Sequence, residues 1–305
     1  MKKEVIFDQI TERIVASLEK GVVPWRQPWG FVEPAQNYFT GHIYSGVNSL
    51  LMLMDNYETP YFATLNQINK AGGRVKKGSK ASLIVFNKYL YYDLKGNKIS
   101  EDLVKTMHPS TYEKRYYLKY DYVFNISMTT GIEIKKQSTR QWDKKASIYE
   151  CDYFIDHLEN APTIQCKLSD YAVYNKAYDV ITMPLLEQFF STEHYYATLF
   201  HELIHSTGHK DRLNRESLTD SKKFGDEKYS FEELVAEIGS CFLCNAFGID
   251  TAPVQENAEA YIKGWVKRLR EDTSMIVEAS KLAKRGYQFL TEQVQTPHFF
   301  LPLTV

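Results

Sequence analysis

The chain has 305 residues, of which 44% are hydrophobic and 25% are charged, a composition typical of a globular protein large enough for two hydrophobic cores. It contains no run of about 18 apolar residues, and Asp8, Glu12 and Glu19 interrupt the apolar stretch that a signal peptide would need. We therefore expect a cytoplasmic protein that does not enter a membrane. Four cysteines are too few for a disulfide scaffold, and Cys241 and Cys244 lie in an apolar helical pattern that predicts buried thiols.

The formal net charge of −1 conceals an uneven distribution of charge along the chain. Residues 1–150 contain 22 Lys and Arg against 15 Asp and Glu, whereas residues 151–305 contain 15 against 23. A basic first half indicates contact with a polyanion, although a solvated basic face would give the same asymmetry. The polar run Lys135–Lys145 is the predicted boundary between two domains, residues 1–140 and residues 146–305.

The first half is predicted to begin with a helix and to continue as mixed α and β structure. The first helix is indicated by apolar residues at helical spacing and a glycine that follows them: Ile6, Ile10, Ile14, Leu18 and Gly21. Asn48 can cap a short helix, and Thr64 begins another helix that ends at Gly72 and Gly73. The runs "ASLIVFNKYLYYD" and "YYLKYDYVFNI" are rich in β-branched and aromatic residues, which predicts two strands joined by a polar excursion rather than a tight hairpin.

Aromatic and basic residues of the first half have the composition of a surface for single-stranded nucleic acid. One segment combines aromatic rings with a cation: Trp25, Arg26, Trp29, Tyr38 and Tyr44. The turn "GGRVKKGSK" adds four cations before the next strand: Arg74, Lys76, Lys77 and Lys80. Unpaired bases stack on aromatic faces, and a basic loop neutralises phosphates without reading their sequence. The alternative is that the tryptophans are core residues and the lysines form a solvated turn.

The segment "YYATLFHELIHSTGHKDRL" in the second half carries the clearest chemical pattern. A helix is predicted to begin at Ser191 and to end at Gly208. His201 and His205 lie one turn apart on it, so both imidazoles can reach one zinc ion. Glu202 can then lie beside a water on that ion as a general base. The short HExxH pattern by itself leaves two structural histidines as an alternative.

A catalytic zinc needs a third protein ligand and keeps its fourth position for water. Asp211 is one candidate, in the pattern HxxxHxxGxxD, with His209 as a nearby competitor. The preferred candidate is Glu233, on a helix predicted to begin at a Ser230 cap. Glu237 lies one turn later on the same face, so one carboxylate can bind metal while the other hydrogen-bonds the remote nitrogen of a histidine. A capping box between Ser230 and Glu233 is the alternative for that carboxylate, and other acids of the same helix leave the third ligand open: Glu232 and Glu237.

Longer stretches of the second half resemble the C-terminal zincin-like metallopeptidase domain of the ArdC-type antirestriction proteins. The resemblance lies in "YAVYNKAYDVITMPLLEQFFSTEHYYATLFHELIHSTGHKDRLNR", "FGDEKYSFEELVAEIGSCFL" and "AYIKGWVKRLRED". In the first half, "PWRQPW", "YSGVNSLLML", "GGRVKKGSKAS" and "VFNI" resemble the single-stranded-DNA-binding domain of the same family. The resemblance therefore spans nearly the whole chain.

This resemblance implies an α+β protein of two domains, an N-terminal mixed α/β domain that binds single-stranded DNA and a C-terminal zincin-like metallopeptidase domain. It also implies a protein of plasmids and other mobile elements that protects incoming DNA from host restriction. His201, Glu202 and His205 match the family motif directly, as do the acids of "EELVAE", whereas the family does not depend on an acid at Asp211.

Two other functions compete with a zinc peptidase. In the first, the protein acts by occupying DNA and its metal site is only structural, but such a site needs no base beside the metal, so Glu202 favours the peptidase. In the second, the protein is a metal-dependent nuclease. Magnesium sites of nucleases are built from carboxylates, which makes two imidazoles a poor fit.

Overall fold

The computed structural model describes residues 3–26, 34–55, 57, 59–134, 144–220, 227–249 and 258–294. Helices and strands of the first half follow in this order: α1 (Lys3–Leu18), β1 (Gln36–Asn37), α2 (Val47–Met54), β2 (Tyr61–Thr64), α3 (Leu65–Lys70), β3 (Arg74–Val75), β4 (Ser82–Asp93), β5 (Lys98–Ile99), α4 (Glu101–Val104), β6 (Tyr112–Asn125) and β7 (Thr129–Thr130). Those of the second half are α5 (Lys144–Asp156), β8 (Thr163–Cys166), β9 (Val173–Asn175), β10 (Val180–Met183), α6 (Thr192–Thr207), α7 (Glu216–Thr219), α8 (Glu227–Phe247), α9 (Ala258–Glu271) and α10 (Met275–Thr291). None of these helices is long and apolar enough to cross a membrane.

A five-stranded sheet organises the first half, in the strand order β1-β2-β6-β4-β5. Strands β1 and β2 are parallel, and the other pairs are antiparallel. Strands β4 and β6 pair from Ser82 opposite Val123 to Asp93 opposite Tyr112, so they form one ribbon about 36 Å long at roughly 3.3 Å per residue. The polar excursion predicted between these strands is present and contains β5 and α4.

The predicted helices of the first half are confirmed, with one correction at a cap. The apolar face of α1 is buried as its spacing indicated. Thr64 caps α3 in a capping box with Gln67. The cap of α2 is Gly46, not Asn48. The Asn48 amide instead accepts from the Val85 N–H at 2.8 Å and donates to its carbonyl at 2.7 Å, which fixes α2 to β4.

The two halves share one hydrophobic core. The largest buried cluster takes residues from α1 and α2 as well as from α6, α8 and α10. Trp25 packs edge-to-face on Trp265 at a centroid distance of 5.3 Å, and the Thr11 hydroxyl donates to the Thr273 carbonyl at 2.8 Å. Residues 135–143 of the predicted boundary lie outside the described residues, so the division into domains stays a prediction. A chain cut at residue 140 would remove from α1 the second-half residues against which it packs.

Helices α6, α8 and α10 form the centre of the second half, beside a three-stranded sheet in the order β8-β10-β9. A Cβ at Gly239 of α8 would lie 2.8 Å from the Ile204 side chain of α6, and a Cβ at Gly286 of α10 would lie 2.9 Å from Thr207. Glycine fits both positions because a side chain of α6 packs directly on the neighbouring helix backbone there. Cys241 and Cys244 are buried free thiols, as predicted.

We predict that Trp25→Ala lowers the free energy of unfolding of the full chain by about 3–5 kcal/mol, the usual cost of removing a large buried side chain. The reason is that Trp25 is fully buried in the core that joins the two halves. Urea unfolding followed by circular dichroism measures this loss. The matched control is Tyr149→Ala, which removes a ring that is 70% exposed and should change stability by no more than about 0.5 kcal/mol. Equal effects of the two substitutions would contradict the shared core.

Candidate metal centre

Helix α6 positions the two histidines of the HELIH segment as its spacing predicted. The Ser191 hydroxyl caps the helix by accepting from the His194 N–H at 3.2 Å, and Gly208 is the C-cap. The Nε2 atoms of His201 and His205 are 3.1 Å apart. Both rings therefore point the same nitrogen at one location.

Helix α8 brings a carboxylate to the same location. This helix begins at Glu227 rather than at Ser230, so the predicted cap is wrong and Ser230 lies inside the helix. The Glu233 carboxylate instead reaches Nε2 of both histidines, with its two oxygens 3.4 Å from His201 and 3.4 Å from His205. The proposed capping box does not occupy this carboxylate.

The spacing of these donors fits a divalent metal ion. His201, His205 and Glu233 offer ligand atoms that all lie within 4.8 Å of one another. Tetrahedral zinc with ligands at about 2.0–2.1 Å places neighbouring donor atoms about 3.3 Å apart, close to the separations of 3.1 and 3.4 Å found here. The three side chains therefore lie close enough together to hold one such ion.

Electrostatics at this location favour a cation among the three donors. Burial disfavours the charged imidazole of His205, but hydrogen bonds to Glu232 and Glu233 outweigh burial and raise its pKa to about 10. Burial likewise opposes ionisation of Glu233, yet its hydrogen bonds with both histidines lower the pKa of its carboxyl. A metal ion requires deprotonated ligands, so it would take the place of the proton that this arrangement stabilises.

Glu232 orients the His205 ring by binding Nδ1, the nitrogen that points away from His201 and Glu233. Its carboxylate accepts from His205 Nδ1 at 3.2 Å, which leaves Nε2 as the nitrogen available to a metal. The buried guanidinium of Arg215 binds both carboxylate oxygens of Glu232, at 2.9 and 2.5 Å, and the Ser217 hydroxyl donates to it at 2.5 Å. Burial raises the pKa of the Glu232 carboxyl, but the charge of Arg215 outweighs burial and holds it at about 2. Glu232 therefore stays ionised.

Glu237 is placed differently from expectation, and Asp211, the alternative third ligand, lies apart from the donors. Glu237 was expected to hydrogen-bond the remote nitrogen of a histidine, but its carboxylate is 4.0 Å from His201 Nδ1, longer than a hydrogen bond. The equivalent contact is made by Glu232, at His205. The side chain of Asp211 is 74% exposed, and it pairs with His209 at 3.6 Å rather than joining the donor group.

The carboxylate of Glu202 is held beside the donors by the edge of the small sheet. Its Oε2 accepts from the backbone N–H of Tyr174 in β9 at 2.7 Å. The Tyr174 hydroxyl donates to Asp179 at 2.7 Å and accepts from Arg212 at 3.1 Å. Arg212 in turn pairs with Asp179, so the strand that positions Glu202 is fixed by a pair of a buried arginine and a partly exposed aspartate.

A cavity of about 730 Å³ opens in front of the donors. Its wall contains His201, Glu202, His205 and Glu233 together with residues 171–176 on one side. Trp25 and Trp265, which join the two halves, line it as well. A metal ion bound to the three donors would therefore face open space.

The predicted DNA-binding residues divide into two groups. Trp25 is fully buried and Tyr44 is 4% exposed, so neither ring offers a face to a base, and the expectation that they stack on DNA is corrected. The Tyr44 hydroxyl accepts a hydrogen bond from the Asn37 amide inside the core. The side chain of Arg26 and all of Trp29 lie outside the described residues. The alternative considered from the sequence, that the tryptophans are core residues, therefore holds for Trp25.

The basic turn predicted between α3 and β4 is exposed along its length: Arg74, Lys76, Lys77 and Lys80. The Lys76 ammonium donates to the Ser127 carbonyl at 2.9 Å, which fixes this turn beside the end of β6. The turn is available to phosphates, and its role in binding them stays a prediction.

Family models and solved structures match this chain over most of its length. Residues 4–124 match the N-terminal domain of the anti-restriction factor ArdC, and residues 151–282 match a zincin-like metallopeptidase. The metal-free crystal structure of the antirestriction ArdC protein from plasmid R388 is 32% identical, with a TM-score of 0.72, over 94% of this chain and 97% of that one. This chain belongs to the ArdC antirestriction family. The Mn(II)-bound structure of the same R388 protein is 30% identical, with the same TM-score, over 96% of this chain and 99% of that one.

Three curated relatives also match. Two proteins named DNA primase TraC from Escherichia coli are 29% and 28% identical over 94% of this chain, which spans only 27% and 20% of their own lengths. Protein y4eC of Sinorhizobium fredii is 25% identical over 92% of this chain and 89% of its own length. The expected family and α+β fold class are confirmed by these matches, whereas single-stranded DNA, zinc and peptidase activity stay predictions for this ArdC-family chain.

A graded series of substitutions tests the metal centre. We predict one divalent ion per chain, abolished by His205→Ala and by Glu233→Ala because each removes a donor. Glu232→Gln should keep the ion but weaken its binding roughly 10- to 100-fold, since the second carboxylate only orients a ligand. Metal content after dialysis and calorimetric titration with zinc and manganese measure these effects.

Asp211→Ala is the control for the series and should bind metal as the unmodified chain does. Circular dichroism of each variant separates loss of metal from loss of fold. Full occupancy in the His205 variant, or loss of metal in the Asp211 variant, would show that the donor group has been assigned incorrectly.

Proposed function

We propose that this ArdC-family chain protects DNA against restriction, binds single-stranded DNA through its first half, and carries a zinc-dependent peptidase site in its second. The observation that carries the peptidase proposal is the position of Glu202. Its carboxylate lines the same open cavity as His201, His205 and Glu233 and is oriented by a backbone hydrogen bond from Tyr174. This combination provides three donors, an adjacent base and room for a substrate.

Zinc is the proposed metal because of the donor types. Two imidazoles and one carboxylate form the ligand set of several zinc peptidases, whereas manganese prefers sites richer in oxygen. The Mn(II)-bound structure of the R388 relative supports a divalent site in this family. The metal titrations described above distinguish the two ions in this chain.

The proposed chemistry divides between the metal and the residues of the chain. A divalent ion held by the donors would polarise a peptide carbonyl and lower the pKa of a water beside it. Glu202 would take the proton from the attacking water and deliver it to the departing amine. The N–H of Tyr174 keeps the Glu202 carboxylate oriented for both transfers.

The rival proposal is a purely structural metal site in a protein that acts by occupying DNA. Structural zinc sites are closed by four protein ligands, whereas catalytic sites keep a position open. The described residues around the site supply a group of three donors facing a cavity, which favours catalysis.

Glu202→Gln separates these accounts. We predict that the variant keeps its metal and its affinity for single-stranded DNA, because neither depends on the base. Peptidase activity should fall on the order of 10²- to 10⁴-fold, the usual cost of losing a general base. The readouts are cleavage of a peptide library and protection of an unmodified plasmid that enters a restricting host, with Asp211→Ala as control. If Glu202→Gln protects the plasmid as well as the control does, catalysis is not needed for protection.

The basic turn gives a separate prediction for DNA. Replacing Arg74, Lys76, Lys77 and Lys80 by serine in the full chain should reduce the slope of log affinity against log salt by roughly 0.7 for each phosphate that the turn no longer neutralises. Fluorescence anisotropy with a single-stranded oligonucleotide measures that slope. The control removes four exposed lysines of the second half: Lys167, Lys210, Lys263 and Lys267. Equal changes in both variants would mean that the turn acts only through net charge.

A further inference from the structure

The ribbon of β4 and β6 carries rings and cations in alternation on one face. Phe86 lies opposite Lys119, and the next pair on that face is Lys88 opposite Tyr117. Residues directly opposite in an antiparallel pair share a face, as do residues two apart along a strand. The four side chains therefore form a two-by-two patch in which each ring has a cation beside it and a cation across from it. We call these four residues the ribbon patch.

All four side chains of the ribbon patch are exposed, with Phe86 at 46% and Tyr117 at 38% of their surface. A ribbon stabilised only by itself would place an acid opposite each lysine, since opposite charges across strands are favourable. Among the ion pairs of the described residues, none involves Lys88 or Lys119. Two lysine charges and two aromatic rings are thus presented to solvent together.

The acids of this face lie on either side of the ribbon patch rather than within it. Asp121 precedes it towards the base of the ribbon, and its carboxylate accepts from the Tyr122 N–H. Glu113 follows it towards the tip and is paired with Arg115, whose guanidinium lies 4.3 Å above the ring of Tyr92. Arg115 and Tyr92 therefore extend the same combination of ring and cation beyond the ribbon patch.

Rings on the opposite face of the ribbon contact a cation or one another, although Tyr89 is 45% exposed. Lys114 lies over the ring of Tyr89 at 3.9 Å, and Tyr91 packs edge-to-face on Tyr112 at 5.7 Å. Nearer the base, that face continues into residues packed against the core, among them Leu118. The face of the ribbon patch also meets the core towards the base, at Ile84 and Val123, whereas the four side chains of the ribbon patch lie beyond that contact and are exposed.

We infer that the ribbon patch is a stacking site for two neighbouring bases of a single strand, with the phosphate between them and a flanking phosphate neutralised by Lys88 and Lys119. Rings accept any base on their faces, and cations at their edges neutralise phosphates, which gives affinity without sequence preference. This inference rests on the proposed binding of single-stranded DNA and assigns it a location. The basic turn ends at Lys80, two residues before β4 begins, so one strand of DNA can run from the turn along the ribbon.

The test uses the full chain and two probes, a fluorescein-labelled dT 20-mer and an abasic 20-mer with the same phosphates. Phe86→Thr with Tyr117→Thr removes both rings and keeps residues that favour strands. Its affinity for the dT 20-mer should fall at least about 30-fold, because stacking on one ring contributes roughly fivefold or more. Its affinity for the abasic probe should stay within about twofold of the unmodified chain, since the abasic probe has no bases to stack.

Two further variants complete the design. Phe86→Trp with Tyr117→Trp should restore binding of the dT 20-mer, because it keeps two stacking faces. Phe190→Thr with Tyr178→Thr removes one phenylalanine and one tyrosine that are about equally exposed in the second half, at 80% and 79%, and should change neither affinity. Thermal unfolding of all three double variants shows whether each remains folded.

The outcomes separate this inference from the function on which it rests. If the unmodified chain does not bind the dT 20-mer, the proposed function fails. If it binds and the threonine variant binds equally well, the stacking site is not on the ribbon patch while the proposed function stands. Equal losses on both probes would show that the rings support the fold or the charge of the ribbon, and would also overturn the stacking site.

Discussion

The close packing of α6 on α8 is the constraint on which the candidate site depends. The Ile204 side chain of α6 packs so closely on the backbone of α8 at Gly239 that an added methyl group would clash with it. Glu232 lies seven residues, two helical turns, before Gly239 and so shares its face. With this spacing, α8 presents its carboxylates to the histidines at hydrogen-bonding range. A larger residue at position 239 would move these groups apart together.

Such packing brings several charged groups into one interior region, and this is stable only because each charge has a partner. An isolated buried charge costs several kcal/mol, and removing one partner of a buried pair typically costs about 3–5 kcal/mol. Arg215 compensates Glu232, and Glu233 faces both histidines. Arg212 compensates Asp179 near the strand that holds Glu202. These pairs also fix the orientation of the side chains, because each pair is made through directional hydrogen bonds.

The chemistry that depends on local spacing was predictable from the sequence, and the chemistry that depends on distant contacts was not. The limits of α6 and the convergence of His201 and His205 follow from capping residues and helical periodicity. Glu233, preferred over Asp211, does lie beside both histidines, and its role as a metal ligand stays a prediction. The pairing of Arg215 with Glu232 joins a loop to a helix 17 residues later, and nothing in the spacing indicates it. The one available signal was the presence of three acids in an apolar helix, which requires a buried cation nearby.

The aromatic residues show the same limit, since a sequence does not distinguish rings that face water from rings that face a core.

The core that joins the two halves through Trp25 and Trp265 affects how this pair of halves can be transferred from one protein to another by recombination. Because each half covers apolar surface of the other, neither is suited to transfer by recombination without the other. Both TraC relatives match 94% of this chain within much longer proteins, as expected if recombination moves the two halves together. The unit that recombination transfers would therefore be the two halves together.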